Sequence, residues 1–220
     1  MLNKIVNFVP MSAKTTEDII LNAATRVFTQ KGFSGARTCE IAKEAGINRS
    51  LLHYYYRDKQ TMFNLIFETR FKELFTGVIS ILGSEDSLEV KIRKIIEHEI
   101  SQLILNPDLP MFILSEVAQN PQFFSQLTQK FGINAPKNLL KFENMVKKEV
   151  ENKTIRKIDG RQLFLHIMSI CIYPFLASPV IGLIMKMNET EFCELMEKRK
   201  EEAVTFVLNG IKFNYEKNSN

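Results

Sequence analysis

The chain has no tryptophan and only nine glycines, seven prolines, three cysteines and three histidines in 220 residues. Each shortage excludes something. Scarce glycine, with no sustained period-two alternation of apolar residues, leaves little basis for hairpins and sheets, so the regular structure is expected to be all-α. Cys39, Cys171 and Cys193 lie far apart with no paired spacing, which argues against a disulfide framework and a zinc site and fits a reducing, cytoplasmic setting. Cys39 is read as a buried or inert thiol. His53, His98 and His166 have no accompanying Cys or carboxylate pattern; phosphate loops and nucleophile elbows are also missing, so neither an enzyme nor a bound metal or cofactor is expected. A catalytic site assembled only in three dimensions is the remaining route to an enzyme.

Uncharged runs are short, with one exception. Leu163 to Met185 spans 23 residues without Asp, Glu, Lys or Arg, long enough by itself to cross a bilayer. His166 lies inside it, and Pro174 and Pro179 break it, so a buried helix to about Tyr173 followed by a tight apolar connection fits better than a membrane span. The opening MLNKIVNFVP is too short and too broken for a signal peptide. Residues 1–14 are expected to be a flexible arm, with Met11 as an alternative start, and 216–220 a tail.

What is abundant is apolar content, 45%, enough for a sizeable core in two structural parts. Charge divides them. Residues 1–59 carry nine Lys or Arg against five Asp or Glu, a net +4, and the remainder holds twenty of each. The whole excess therefore sits in the first quarter, the footprint of an end that binds a polyanion.

Helix signals recur along the chain. Thr15-Thr16-Glu17-Asp18 opens a first helix like a capping box, with Ile19, Ile20, Ala23, Ala24, Val27 and Phe28 on one stripe until Gly32. Thr38 is expected to cap a second, starting at Cys39, whose Ile41, Ala42 and Ala45 form a narrow face before Gly46 turns the chain. Asn48 caps a third, from Arg49 to about Tyr55, with Leu52 and Tyr56 inward and Arg49, Ser50, His53 and the tyrosine hydroxyls outward. Those outward groups are donors for phosphates and base edges. Arg57 and Lys59 then flank Asp58 where a helix starts, and a phosphate at that terminus would relieve the cations' opposition to the helix dipole. The fourth helix, Lys59 to about Leu82, repeats Phe63, Phe67, Phe71 and Phe75 every four residues, a buried face. Further helices are expected over Leu88–Leu105, about Met111–Gln119, from Asn120-Pro121 with interruption at Gly132 and Pro136 to about Asn152, from Asp159, and from Asn188 to about Phe213. The last has an apolar face of Phe192, Leu195, Met196, Val204, Val207 and Leu208 in need of a partner.

The run Ala23, Ala24 and Phe28, Gly32-Phe33, Thr38, Ile41-Ala42, Ala45-Gly46, Tyr54-Tyr55-Tyr56 and Lys59 resembles the TetR family of one-component transcriptional regulators. His53 stands where that family often has tyrosine, and Tyr56 where it usually has phenylalanine. The resemblance implies a three-helix helix-turn-helix domain over 15–58 and a helical effector-binding and dimerisation domain over 59–215. It implies a homodimer, paired through the last two long helices as a four-helix bundle, that represses from a pseudo-palindromic operator and is released by a small molecule. Helix 4 would be the lever. The candidate DNA-binding residues are Arg37, Thr38, Asn48, Arg49, Ser50, Leu51, His53, Tyr54, Tyr55 and Lys59, with Arg57 a weaker one. Thr38, Tyr54 and Lys59 are assigned to phosphate and Arg49 to guanine. Candidate effector contacts are His98, Gln102, Phe112, Glu116, His166 and Tyr173, a few polar groups among apolar ones.

Overall fold

The computed structural model describes residues 15–213, so the expected arm, the alternative start at Met11 and the tail fall outside the described residues. Among the described residues there are eleven α-helices and no named strand, only an isolated antiparallel bridge between Ile155 and Lys212. The fold class is all-α. The chain divides into two compact units, one ending at Ile66 and one starting at Phe67.

The first unit contains α1 (Thr16–Gly35), α2 (Thr38–Glu44), α3 (Arg49–Tyr55) and the opening of α4 (Lys59–Gly83). Thr15 caps α1 in a full capping box with Asp18: its hydroxyl accepts from the Asp18 N–H at 3.1 Å, and the Asp18 carboxylate accepts from the Thr15 N–H at 3.0 Å. Ile20, Ala23, Ala24, Val27 and Phe28 are buried while Ile19 is exposed, and Gly32 kinks the helix at φ 65°. Phe28 and Phe33 both meet Phe63 of α4, at ring-centroid distances of 5.1 and 4.9 Å, which closes the unit over Ile41, Ala42 and Leu52.

The second unit is built on α5 (Leu88–Leu105), which packs against α8 (Ala135–Glu151), α9 (Gly160–Leu176) and α11 (Glu189–Ile211). Between α5 and α8 in sequence lie α6 (Leu109–Gln119) and α7 (Pro121–Lys130). Gly132, at φ 62°, supplies the left-handed turn that separates α7 from α8. The four-residue phenylalanine repeat is core: Phe67 meets Phe112 and Phe123, and Phe71 meets Phe124. Phe75, the last of the repeat, is half-buried.

Two sequence expectations need correction. The tight apolar connection after Tyr173 is a helix, α10 (Ser178–Met185), set at 70° to α9 with Pro179 in its first turn, where proline's missing N–H does no harm. No single helix among the described residues is long and apolar enough to cross a membrane, although the bent α9–α10 pair passes that test jointly. The face of α11 expected to need a symmetry mate is largely covered within the chain: Phe192, Met196, Val204 and Val207 are buried, and α5 is the main neighbour of that helix. Cys39, expected to be buried or inert, is exposed in the first turn of α2.

A buried lysine joins α4 to α5. Lys91 is 1% exposed, and its ammonium donates to the carbonyls of Ile81 (2.9 Å), Leu82 (3.1 Å) and Ser84 (2.6 Å) and to the Ser84 hydroxyl (3.0 Å). Carbonyls at a helix C-terminus have no intrahelical donor, so a cation there both pairs them and complements the dipole. Lys91→Met keeps the side-chain length but strands these acceptors, and is expected to lower unfolding free energy by about 2–4 kcal/mol in urea titration.

Candidate nucleic-acid interface and buried polar groups of the body

The interface is made by local rules. Arg37, not Thr38, is the N-cap of α2, and Thr38 is its first residue. The Glu40 carboxylate reaches back to the Arg37 N–H at 3.3 Å, so the helix start is held from its third residue and the Thr38 hydroxyl is not needed there. Glu40 also pairs with Lys31 at 2.8 Å, and Glu44 with Arg26 at 2.8 Å, which ties α2 to α1 twice. The Lys31 ammonium, ahead of backbone bonding at Arg37, lowers the Glu40 carboxyl from its ordinary value. At the other end Gly46, at φ 68°, lets the Ile47 N–H return to the Ala42 carbonyl at 3.0 Å. The Asn48 side-chain oxygen accepts from the Leu51 N–H at 2.8 Å and starts α3.

Only two side chains at α3 point to the core. Leu52 and Tyr56 are buried, and the Tyr56 hydroxyl donates to the Glu17 carboxylate of α1 at 3.1 Å. Burial first, and then Glu17, push the Tyr56 phenol well above its ordinary pKa. Everything else on the helix is outside: Arg49, Ser50 and His53 are exposed, as are Leu51, Tyr55 and, at 82%, Tyr54. Tyr54 and Tyr55 rest edge to face, centroids 5.6 Å apart. A cleft of about 430 Å³ gathers Thr38, Arg49, Ser50, His53, Arg57 and Asp58, bringing together residues from α2, α3 and the turn before α4. Arg37 is exposed at the start of α2.

Asp58 caps α4: its carboxylate accepts from the Thr61 N–H at 2.7 Å, and backbone bonding lowers its pKa. Lys59 is engaged internally. Its ammonium donates to the carbonyls of Phe33 (2.8 Å) and Ala36 (3.1 Å) and sits 4.3 Å from the centroid of the Phe33 ring. Two of its three donors are thus taken by the α1–α2 connection. The first-quarter charge excess is correspondingly redistributed: Arg26 and Lys31 are paired with acids, Lys59 with carbonyls, while Arg37, Lys43, Arg49 and Arg57 are exposed.

Residues 20–66 match the family of bacterial regulatory proteins known as the tetR family. That segment, the helix-turn-helix unit, is the DNA-binding domain of the TetR family of transcriptional regulators. The chain is 26% identical over 206 residues to the uncharacterized HTH-type transcriptional regulator YuxN of Bacillus subtilis, covering 87% of this chain and 68% of that one. Over 115 residues it is 29% identical to the HTH-type transcriptional repressor NicS of Pseudomonas putida, covering 52% and 48%. Among solved structures it superposes on the ketosteroid transcriptional regulator KstR2 of Mycobacterium tuberculosis with a TM-score of 0.65 at 14% identity, over 94% of this chain and 100% of that one. At that identity the likeness speaks for the fold alone.

In the second unit the six candidate effector residues separate. Phe112 and Glu116 are buried on α6, Gln102 is half-buried on α5, and His98 is half-buried with its Nε2 enclosed and without a hydrogen-bond partner. The His98 ring lies directly on Gly77 of α4, where an added Cβ would come within 1.9 Å of Nε2. His166 and Tyr173, the latter 64% exposed, are on the outer side of α9 instead. Tyr173 lines a shallow depression of about 540 Å³ with Met168, Ser169, Ile170, Ile172, Leu176 and Arg199.

Sequence reasoning missed Glu99. It is 0% exposed, and both carboxylate oxygens are buried without a hydrogen-bond partner. A signal exists in the pattern, because Glu99 interrupts the stripe of Ile92, Ile95, Ile96, Ile100 and Leu103 on α5. Burial pushes its carboxyl up to about 8 from an ordinary 4.5. Cys171 of α9 is likewise pushed up to about 12, chiefly by burial and then by Glu99, with Arg199 opposing.

Stability is therefore tied to pH through Glu99. The folded chain keeps its proton to about pH 8 while an unfolded glutamate releases it near 4.5, so folding loses stability as pH rises through that window and levels off above it. The loss is on the order of 5 kcal/mol. Glu99→Gln, which mimics the protonated acid, is expected to be more stable than the parent chain at about pH 8 and to flatten this part of the curve in urea titrations across pH.

Proposed function

We propose that this TetR-family regulator is a homodimeric repressor that reads a pseudo-palindromic operator through α3 and releases it when a small molecule enters the second unit. The observation that carries the reading is the division of labour on α3: Leu52 and Tyr56 plug the core, while Arg49, Ser50, Leu51, His53, Tyr54 and Tyr55 are exposed together. One such head spans few base pairs, so useful affinity needs two, on half-sites about one helical turn or more apart. Arg49, at the start of α3, takes guanine by bidentate hydrogen bonding. Ser50, Leu51 and Tyr55 lie along the groove edge, His53 follows them, and Arg37, Thr38, Asn48 and Tyr54 bracket the phosphates. Lys59 has one N–H left for a phosphate beyond its two carbonyls, and Arg57 completes the cleft wall.

The dimer is proposed to form on the outer faces of α9 and α11. Leu165, Tyr173 and Phe206 are exposed there at 55%, 64% and 72%, which would suit a helix-on-helix contact with a second copy. His166 and Tyr173 then belong to the subunit contact, whereas His98, Gln102, Phe112 and Glu116 remain effector candidates. α4 is the proposed connection between the effector and the heads, because it begins in one unit and ends in the other.

Binding should be steeply salt-dependent. A dimer making roughly 6 to 10 phosphate contacts is expected to lose about 10³- to 10⁵-fold in affinity between about 50 and 200 mM salt, by fluorescence anisotropy on duplex DNA. Arg49→Ala is expected to cost about 1–3 kcal/mol on the preferred operator and much less on duplexes altered at the contacted guanine. A flat salt response would refute DNA binding, and an equal loss on all sequences would reassign Arg49 to phosphate.

A further inference from the structure

Glu99 is a carboxylic acid fully enclosed in the second unit with neither oxygen hydrogen-bonded. Buried polar groups are nearly always paired, and an exception calls for a reason. The reason is not internal charge balance: burial is the cause that shifts this acid, and no neighbouring cation offsets it. Nor is it a metal centre, because no cluster of three or more His, Cys, Asp or Glu side chains gathers among the described residues. Along α5 its neighbours one turn either way are Ile95, Ile96 and Leu103, buried and apolar, and the half-buried Gln102. The Cys171 thiol of α9 feels both its charge and that of Arg199 of α11. The other orphan, His98 Nε2, lies roughly 100° round α5 against Gly77 of α4. It therefore faces a different helix.

We propose that Glu99 anchors the protonated amine of an otherwise apolar effector, whose ammonium supplies the hydrogen-bond donors that the two enclosed oxygens lack. This rests on the effector-responsive reading above and names the ligand class. The chemistry is selective. An ammonium offers three donors and a charge that favours the ionised carboxylate, and the isoleucines and leucine around Glu99 suit a hydrocarbon body but not a second charge. Because Glu99 is fully enclosed, a ligand reaching it must part α5 from a neighbouring helix, so binding and helix displacement are one event.

The test uses the full chain and matched phenylalkyl amines, alcohols and carboxylates of graded chain length. Calorimetry at neutral pH in two buffers of different ionisation enthalpy reads affinity and proton release together. The amines are expected to bind best and to release close to one proton per site, as Glu99 gives up its proton to form the ion pair. Glu99→Gln is expected to weaken amine binding at least about tenfold, to leave the alcohols within about twofold and to abolish proton release. Glu99→Met, apolar and of similar length, repeats the test should the amide disturb the core. Equal binding of the three headgroups, no amine binding, or undiminished amine binding in both variants would overturn the assignment. Salt-dependent DNA binding by the unmodified chain, measured alongside, separates the two readings: its loss would sink the regulator, whereas its presence with any of the overturning results would sink only Glu99's role.

Discussion

The chemistry exposed on α3 depends on how little of that helix is used to hold it. Seven residues do not make a stable helix in water by themselves, so α3 exists because Leu52 and Tyr56 are locked in the core and because Asn48 ties off its first turn. The Tyr56–Glu17 hydrogen bond is the longest-range part of this lock, joining positions 39 apart in sequence. With so few side chains committed to packing, all the helical residues but Leu52 are exposed. A larger apolar face would have made a sturdier helix and a poorer reader. Lys59 follows the same logic, because its ammonium fixes the start of α4 onto the α1–α2 connection from a single position.

The second unit resolves buried charge in two opposite ways on one helix. Lys91 and Glu99 are about two turns apart on α5, both almost inaccessible. Lys91 is saturated by the acceptors at the end of α4 and acts as a clasp. Glu99 has no such partner and stays protonated near neutral pH, a latent charge inside a hydrocarbon core. Such a group lowers stability, and its retention points to a use other than folding.

Much of this is legible in the sequence, for physical reasons. Caps and glycine turns act within four residues, so the starts of α1, α3, α9 and α11 can be read from Thr15, Asn48, Asp159 and Asn188 with little error. The phenylalanine repeat on α4 announces its buried face in the same way. Thr38 lies one position past the true cap of α2 because Glu40, three residues beyond Arg37, secures the helix from inside. Periodicity reports that a face is buried but not by what, so the apolar face of α11 reads as an interface with a second copy although α5 covers it. Val180, Leu183 and Ile184 of α10 show the converse, apolar sequence that the single chain leaves exposed. Glu99 is only half legible: its place in an isoleucine stripe can be read, but its enclosure is assembled from helices far apart in sequence.

The central claim is that two copies of α3 read one duplex, and selection of bound sequences from a random DNA pool tests it most directly. Enrichment of a pseudo-palindrome is expected, its half-sites centred about one helical turn or more apart, with a guanine in each half-site that Arg49→Ala ceases to select. Enrichment of a lone half-site, or of no sequence at all, would contradict it.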